Sequence, residues 1–172
     1  MTIKTMKTMG IFLVLLVLTL HVPLLWAEEG SATPQEVIAK VKEAAAFLAE
    51  KGEDGPAAFR ENLKHWVWKD TYVWILDCDQ WTVLVHPNNP KLEGNNLKLL
   101  KDTEGKLFFI EFCLAAKKPK GGWVDYMWPK PGEEKPCRKI SYTLQVPDRP
   151  YQVGAGIYNN DLTVEELDQM IQ

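Results

Sequence analysis

Hydrophobic and polar positions along this chain follow two periods, one after the other. Val37, Val41, Ala44, Ala45 and Leu48 recur at spacings of three and four, which is the repeat of one face of an α-helix. Thr33 stands where an N-cap belongs and Pro34 at the first helical position, so the helix is predicted to begin there. Lys51-Gly52-Glu53-Asp54-Gly55 breaks it, and Asp54 is placed to cap a second helix from near Pro56 with Phe59, Leu63 and Trp66 on its apolar side. The period then drops to two. Tyr72, Trp74 and Leu76 alternate with Val73, Ile75 and Asp77, Asp77 to Gln80 reads as a hairpin turn, and Trp81 to His86 returns as a second strand. Pro87-Asn88-Asn89-Pro90 and Gly94-Asn95-Asn96 punctuate a long excursion, and Asp102 to Gly105 is a further turn leading into the apolar run Leu107 to Ala116, read as a strand. Trp123 to Trp128, Lys139 to Val146 and Tyr151 to Ile157 complete the sheet. Leu162 to Ile171 closes the chain as a helix capped by Thr163, with Glu165 and Glu166 near its positive end. This order predicts an α+β fold: N-terminal helices packed on a central antiparallel sheet of about five to six strands, with a short C-terminal helix.

The N-terminus changes the picture of where such a domain works. Lys4 and Lys7 precede the apolar run Ile11 to Leu20, and Leu25-Trp26-Ala27 ends in a small residue, the layout of a secretory signal peptide cut after Ala27. The alternative is an uncleaved membrane anchor over residues 11–27, which His21 and Pro23 interrupt. The predicted organisation is a signal peptide over 1–27, a linker over 28–33 and one domain over 34–172, exported and soluble in the periplasm. Loss of Lys4 and Lys7 takes the net charge from -3 to -5. A mildly acidic exported chain has no electrostatic footprint for nucleic acid.

The three cysteines, Cys78, Cys113 and Cys137, cannot all pair within one chain, and their spacing fits no metal-binding or redox motif. One disulfide with one free thiol is compatible with an oxidising compartment, and the spacing leaves the pair open. Cys78 and Cys113 lie in strand-like runs and read as small core residues, whereas Cys137 lies in a polar loop. No nucleophile elbow or zinc-binding helix is present, and the two histidines outside the signal segment, His65 and His86, are far apart. The expectation is a protein that is not an enzyme and needs no cofactor.

Six motifs in order carry a resemblance: Trp68 to Tyr72, Val85-His86-Pro87, Asp102 to Gly105, Gly122 to Pro131, Lys139 to Tyr142 and Gly154 to Tyr158. Over Pro34 to Tyr158 the chain resembles the single Cache domain, the PAS-like extracytoplasmic sensor module of bacterial chemoreceptors and histidine kinases. The resemblance implies a cavity between sheet and covering loops for a small ligand, a C2 or C3 carboxylate such as acetate, propionate, pyruvate or lactate. A receptor of that kind continues past such a domain into signalling machinery. This chain stops at Gln172, so the expectation is that it signals through a separate membrane sensor kinase or chemoreceptor.

A small carboxylate asks for hydrogen-bond donors, a cation or partly protonated imidazole, and aromatic walls. Tyr72 and Trp74 share one strand face, Tyr126 and Trp128 another, and His86 ends a strand beside a loop. Lys139 and Tyr142 are candidates of which only one can face the cavity, because a spacing of three puts them on opposite faces. Arg60 is a further candidate, since its fork suits a carboxylate. Gly154 and Gly156 read as sites of close backbone approach. Two other functions compete. One is an adaptor or structural subunit of a membrane complex, with a vestigial pocket filled by its own side chains. The other is sugar binding, given the seven tryptophans.

Overall fold

A computed structural model describes residues 30–171; the predicted signal segment lies outside them. Helix α1, Pro34–Lys51, starts at a capping box in which Thr33 Oγ1 accepts from the Glu36 amide and the Glu36 carboxylate accepts from the Thr33 amide. Its predicted apolar face is the buried one. Gly52, at φ 65, ends it. Helix α2, Gly55–Glu61, follows, though Asp54 makes no side-chain cap and Leu63 to Trp66 form a separate 3-10 turn.

The first predicted strand is broken at Val73. Val67–Trp68 (β1) and Thr71–Tyr72 (β2) pair as a small ribbon, and the Val73 amide donates to Trp66 O at 2.9 Å. Trp74–Asp77 (β3) and Thr82–Val85 (β4) form the predicted hairpin, and with Gly122–Pro129 (β5), Pro136–Gln145 (β6) and Tyr151–Tyr158 (β7) they make a five-stranded antiparallel sheet of order β4-β3-β7-β6-β5. Between β4 and β5, residues 87–107 run along the β4 edge as a strap. The strap is held by Gly94 N–H to Val83 O at 2.9 Å and Leu97 N–H to Trp81 O at 2.9 Å.

The run predicted as a strand at Leu107 to Ala116 is instead a helix, α3, Phe108–Ala116. Its buried positions, Phe108, Phe109, Phe112, Cys113, Ala115 and Ala116, follow a helical repeat, but Ile110 and Leu114 on the outer side are apolar too. Glu111 alone interrupts the run, and a short run without a polar stripe carries no readable period. Helix α4, Val164–Gln169, begins at the predicted Thr163 cap.

Strand alternation gives the sheet two different faces. Ile75, Ile140, Tyr142, Val153, Ala155 and Ile157 point into the core shared with α1, α2 and α4. Trp74, Leu76, Val124 and Tyr126 point into a second cluster beneath α3 and the strap, built with Tyr72, Phe108 and Phe112. Cys78 and Cys113, read from sequence as small core residues with the disulfide pair left open, are bonded to each other and tie the β3–β4 turn to α3; Cys137 is free and half-buried.

Candidate functional site

On the α3 side of the sheet, β7 presents Gly154, Gly156 and Tyr158 in succession, so most of that strand's face is bare backbone. Both glycines are in contact with neighbours. A Cβ on Gly156 would stand 2.3 Å from Ser141 Oγ and 2.6 Å from Ile140 O, and one on Gly154 would stand 2.3 Å from the Trp74 ring. The predicted close approach at these positions is therefore a property of the fold.

Beside this bare strip, Lys139 is wholly buried. Its Nζ meets no hydrogen-bond acceptor among the described residues and lies 4.2 Å from the centre of the Tyr72 ring and 4.9 Å from that of Tyr158. The ring faces supply cation–π attraction. That attraction does not replace water around an ammonium, and burial pushes the Lys139 amine down to about 7, opposed by attraction to Asp70 and to the Cys137 sulfur. Asp70 is itself incomplete: Oδ1 accepts from the Ala32 amide at 2.8 Å, but Oδ2 is buried without a partner among the described residues.

Hydroxyls, an indole and an imidazole close the rest of the ring of polar groups. The Tyr126 hydroxyl is 3.2 Å from Ser141 Oγ, and Trp128 Nε1 donates to the Tyr72 hydroxyl at 3.1 Å. Burial raises both phenols, Tyr72 to about 12, so they are neutral donors at any physiological pH. The His86 ring packs on Tyr72 at 4.9 Å and faces Trp128 at 6.1 Å. Its Nδ1 accepts from the Asn89 amide at 2.9 Å, which assigns the proton to Nε2. Burial first, and the Lys139 charge second, hold the imidazole down to about 3.

His86 is thus a neutral N–H donor and not the partly protonated cation that sequence reasoning allowed. The sign of its contribution to stability follows. The unfolded imidazole binds a proton below pH 6.5 and the folded one only near 3, so stability is full above 6.5 and is lost as the pH falls through that window. His86→Gln is expected to flatten that part of an acid-unfolding profile, and an unchanged slope between pH 6 and 4 would refute it.

Tyr72, Trp74, His86, Tyr126, Trp128 and Lys139 therefore converge on one region. Tyr142 does not. It faces the α1 core, packs on Trp123 at 5.5 Å and donates to Lys120 O at 2.5 Å, as strand parity with Lys139 requires. Arg60 also stays outside, where Nη2 bonds Leu84 O at 2.8 Å and Glu93 Oε2 at 2.7 Å. Glu93 Oε1 in turn accepts from the His86 amide at 2.9 Å, so Arg60, through Nη2, braces the segment carrying His86 from outside the buried region. Tyr158, Ser141 and Asp70 were missed as site residues. Tyr158 follows Gly154 and Gly156 on one face of one strand, and that pattern is the signal that could have found it.

Next to these groups lies a half-open recess of about 30 Å³, to which His86, Tyr126, Trp128 and Trp74 bring polar atoms and whose remaining lining is aliphatic and phenyl carbon. That is room for about one or two water molecules. The arrangement offers one amine of switchable charge, several neutral donors and an apolar recess: the equipment for a small anion with a short carbon tail. No helix among the described residues is long and apolar enough to cross a membrane.

Comparison with known proteins adds three findings. The family described as single Cache domain 2 is matched over residues 25–172. The methyl-accepting chemotaxis protein McpP of Pseudomonas putida is 35% identical over 101 residues, 59% of this chain and 18% of that protein, so the chain spans under a fifth of that relative's length. Among solved structures, a periplasmic sensor domain of a chemotaxis protein is similar at TM-score 0.61 and 31% identity, covering 74% of this chain and 90% of the other. A Cache chemosensory domain described for its carboxylic acid recognition is similar at TM-score 0.57 and 30% identity, covering 74% and 88%.

Proposed function

The chain belongs to the single Cache domain family, and from that premise we propose that it is a periplasmic binding domain for a short monocarboxylate, reporting ligand occupancy to signalling machinery of the chemoreceptor or sensor-kinase class. The observation that carries this reading is Lys139: a fully buried amine with no acceptor among the described residues, walled by tyrosines. Burying an unpaired ammonium is costly, and an anion within reach offsets that cost. A carboxylate at Nζ would accept from the ammonium, with the Tyr126–Ser141 hydroxyl pair and the His86 Nε2–H as further donors. The aromatic rings exclude water from the pair and so strengthen it.

A second reading, an adaptor whose pocket is filled by its own side chains, is favoured by the smallness of the cavity. A thermal-shift screen of the purified protein against acetate, propionate, pyruvate, lactate, amino acids and sugars separates the two. A ligand at about one hundred times its Kd adds roughly 2.7 kcal/mol and raises the midpoint by several degrees. Tyr126→Phe and His86→Ala are each expected to weaken the best acid about tenfold, the scale of one lost hydrogen bond to a charged group. Unchanged affinity in both variants would remove these residues from the site. Silence across the whole screen would select the adaptor.

A further inference from the structure

The layer formed by the strap and α3 differs in charge from the rest of the molecule. Residues 87–121 hold seven lysines against four acidic residues, a net charge of +3, although the whole chain carries -3. Three of the four acids are engaged: Glu93 by Arg60, Glu111 by Lys106, and Asp102 by the amides of Glu104, Lys106 and Met127. Only Glu104 is an exposed acid of this layer. Lys98, Lys101, Lys117 and Lys120 are exposed and form no ion pair among the described residues. Lys98 Nζ lies 4.6 Å from the centre of the half-buried Trp81 ring.

Leu99 and Leu114, 77% and 64% exposed, are the two most exposed large hydrophobic residues among those described, and both belong to this layer. Leu114 lies between Ile110 and Lys117 on the outer stripe of α3. Leu99 stands between Lys98 and Lys101 on the strap, whose Leu97 and Leu100 line the recess together with Phe109 and Phe112 of α3. A lone exposed leucine needs no explanation. Two of them, each near exposed lysines on the basic side of an acidic protein, make a surface with apolar tips in a cationic field. We infer that the outer side of α3 and the strap contacts the membrane, seating Leu99 and Leu114 among the headgroups of an anionic bilayer with the lysines on its phosphates. Lysine chemistry selects a bilayer over a protein partner, because protein interfaces favour arginine and deplete lysine, and residues 87–121 contain no arginine. Of the acidic residues on α4, Asp168 reaches this side and takes up Lys118. Charges further away than about 8 Å are screened at physiological salt, so the local field decides the contact. The surface is separate from the carboxylate site and would hold the sensor beside membrane machinery.

The test is flotation of the exported protein with vesicles of phosphatidylethanolamine and phosphatidylglycerol, against vesicles of phosphatidylcholine alone, at low and at high salt and without carboxylate. Wild type is expected to float with the anionic vesicles at low salt, to be released by high salt and to ignore phosphatidylcholine. Lys117→Gln with Lys120→Gln, and separately Lys98→Gln with Lys101→Gln, should each lower the partition coefficient roughly tenfold or more, at up to about fivefold per lysine. Leu114→Ser should lower it by about tenfold with every lysine in place, a loss that a purely electrostatic contact would not show. Lys42→Gln with Lys64→Gln removes the same charge from exposed positions on α1 and in the turn after α2, and should leave partition unchanged. All these side chains are exposed, so thermal unfolding of each variant should stay close to wild type. Flotation that survives high salt and every substitution would place the attachment in residues 11–27 and overturn the inference. An equal loss in the Lys42 and Lys64 control would reduce the effect to net charge and overturn it too. Absence of flotation also overturns it, and a dimer in sedimentation velocity that the strap and α3 substitutions dissociate would then give the surface to a second copy of the chain.

Discussion

Lys139→Met is expected to weaken carboxylate binding at least about thirtyfold and at the same time to make the unliganded protein more stable at neutral pH. Truncating one member of a desolvated charge pair costs about 2–5 kcal/mol of binding, a weakening of between roughly thirtyfold and a few thousandfold. Stability moves the other way because the unliganded fold carries a buried amine that Nζ contacts do not compensate. Its depression from 10.5 to about 7 corresponds to a cost on the order of 4 kcal/mol at pH 7 and below. Methionine keeps the linear stem and sets a polarisable sulfur against the Tyr72 and Tyr158 rings. Urea unfolding and calorimetry on the same preparation measure both effects. A variant that binds like wild type, or one that is less stable without ligand, would sink the assignment of Lys139 as anchor.

The same residue gives opposite pH slopes for stability and for binding. Between about 7, its folded value, and 10.5, its unfolded value, the unfolded chain holds a proton that the folded protein has released. Unliganded stability therefore rises with pH across that window and has lost the whole penalty at its upper end. A bound carboxylate raises the amine, so binding takes up a proton: affinity is full below pH 7 and falls by up to tenfold per unit above it. The Tyr72 phenol, pushed up to about 12, turns stability downward above pH 10, so pH 7 to 10 is the window to measure. Proton uptake on binding, read as a dependence of the calorimetric heat on buffer ionisation enthalpy at pH 8, is the signature. Its absence would mean the amine is charged before the ligand arrives.

How far the sequence could see depended on whether a residue's role is set locally. The capping boxes at Thr33 and Thr163, the alternation through β5, β6 and β7, and the parity that separates Lys139 from Tyr142 are all short-range, and each was legible. The faces of Trp74, Tyr126 and Trp128 followed from the same period of two. What failed depended on partners distant in sequence. Arg60 had the right chemistry for an anion, but its Nη2 is drawn to Glu93, 33 residues away, outside the buried region. The Cys78–Cys113 pairing needed Cys113 on a helix packed across the sheet, and the run around it is too uniformly apolar to declare itself helical. The isolation of Lys139 Nζ was invisible for the same reason: that a buried amine meets no acceptor depends on every element packed around it.

That disulfide should prove the strongest single constraint on the apolar wall of the recess. Cys78 follows β3 and Cys113 lies in α3, at a sequence separation of 35, and closing a loop of that length removes denatured-state entropy equivalent to about 3–4 kcal/mol. Phe108 and Phe112, which line the cavity, ride on the same helix. Besides its packing, α3 is fastened to the sheet by a bond from Thr143 Oγ1 to Phe112 O at 3.3 Å and by Lys106, whose ammonium pairs with both Glu111 of α3 and Asp125 of β5; a neutral hydrogen bond or a partly exposed ion pair of this kind contributes only about 1 kcal/mol. Cys78→Ser with Cys113→Ser is therefore expected to lower stability by about 3–4 kcal/mol and to weaken acid binding at least tenfold, because the recess loses its fixed wall as well as its tether. Cys137→Ser, which touches no disulfide and whose thiol donates only a weak bond to Trp128 O at 3.6 Å, serves as the control and should leave unfolding nearly unchanged. A double variant that keeps wild-type affinity while losing stability would mean that packing alone holds α3 in register. The tether would then stabilise the fold without shaping the pocket.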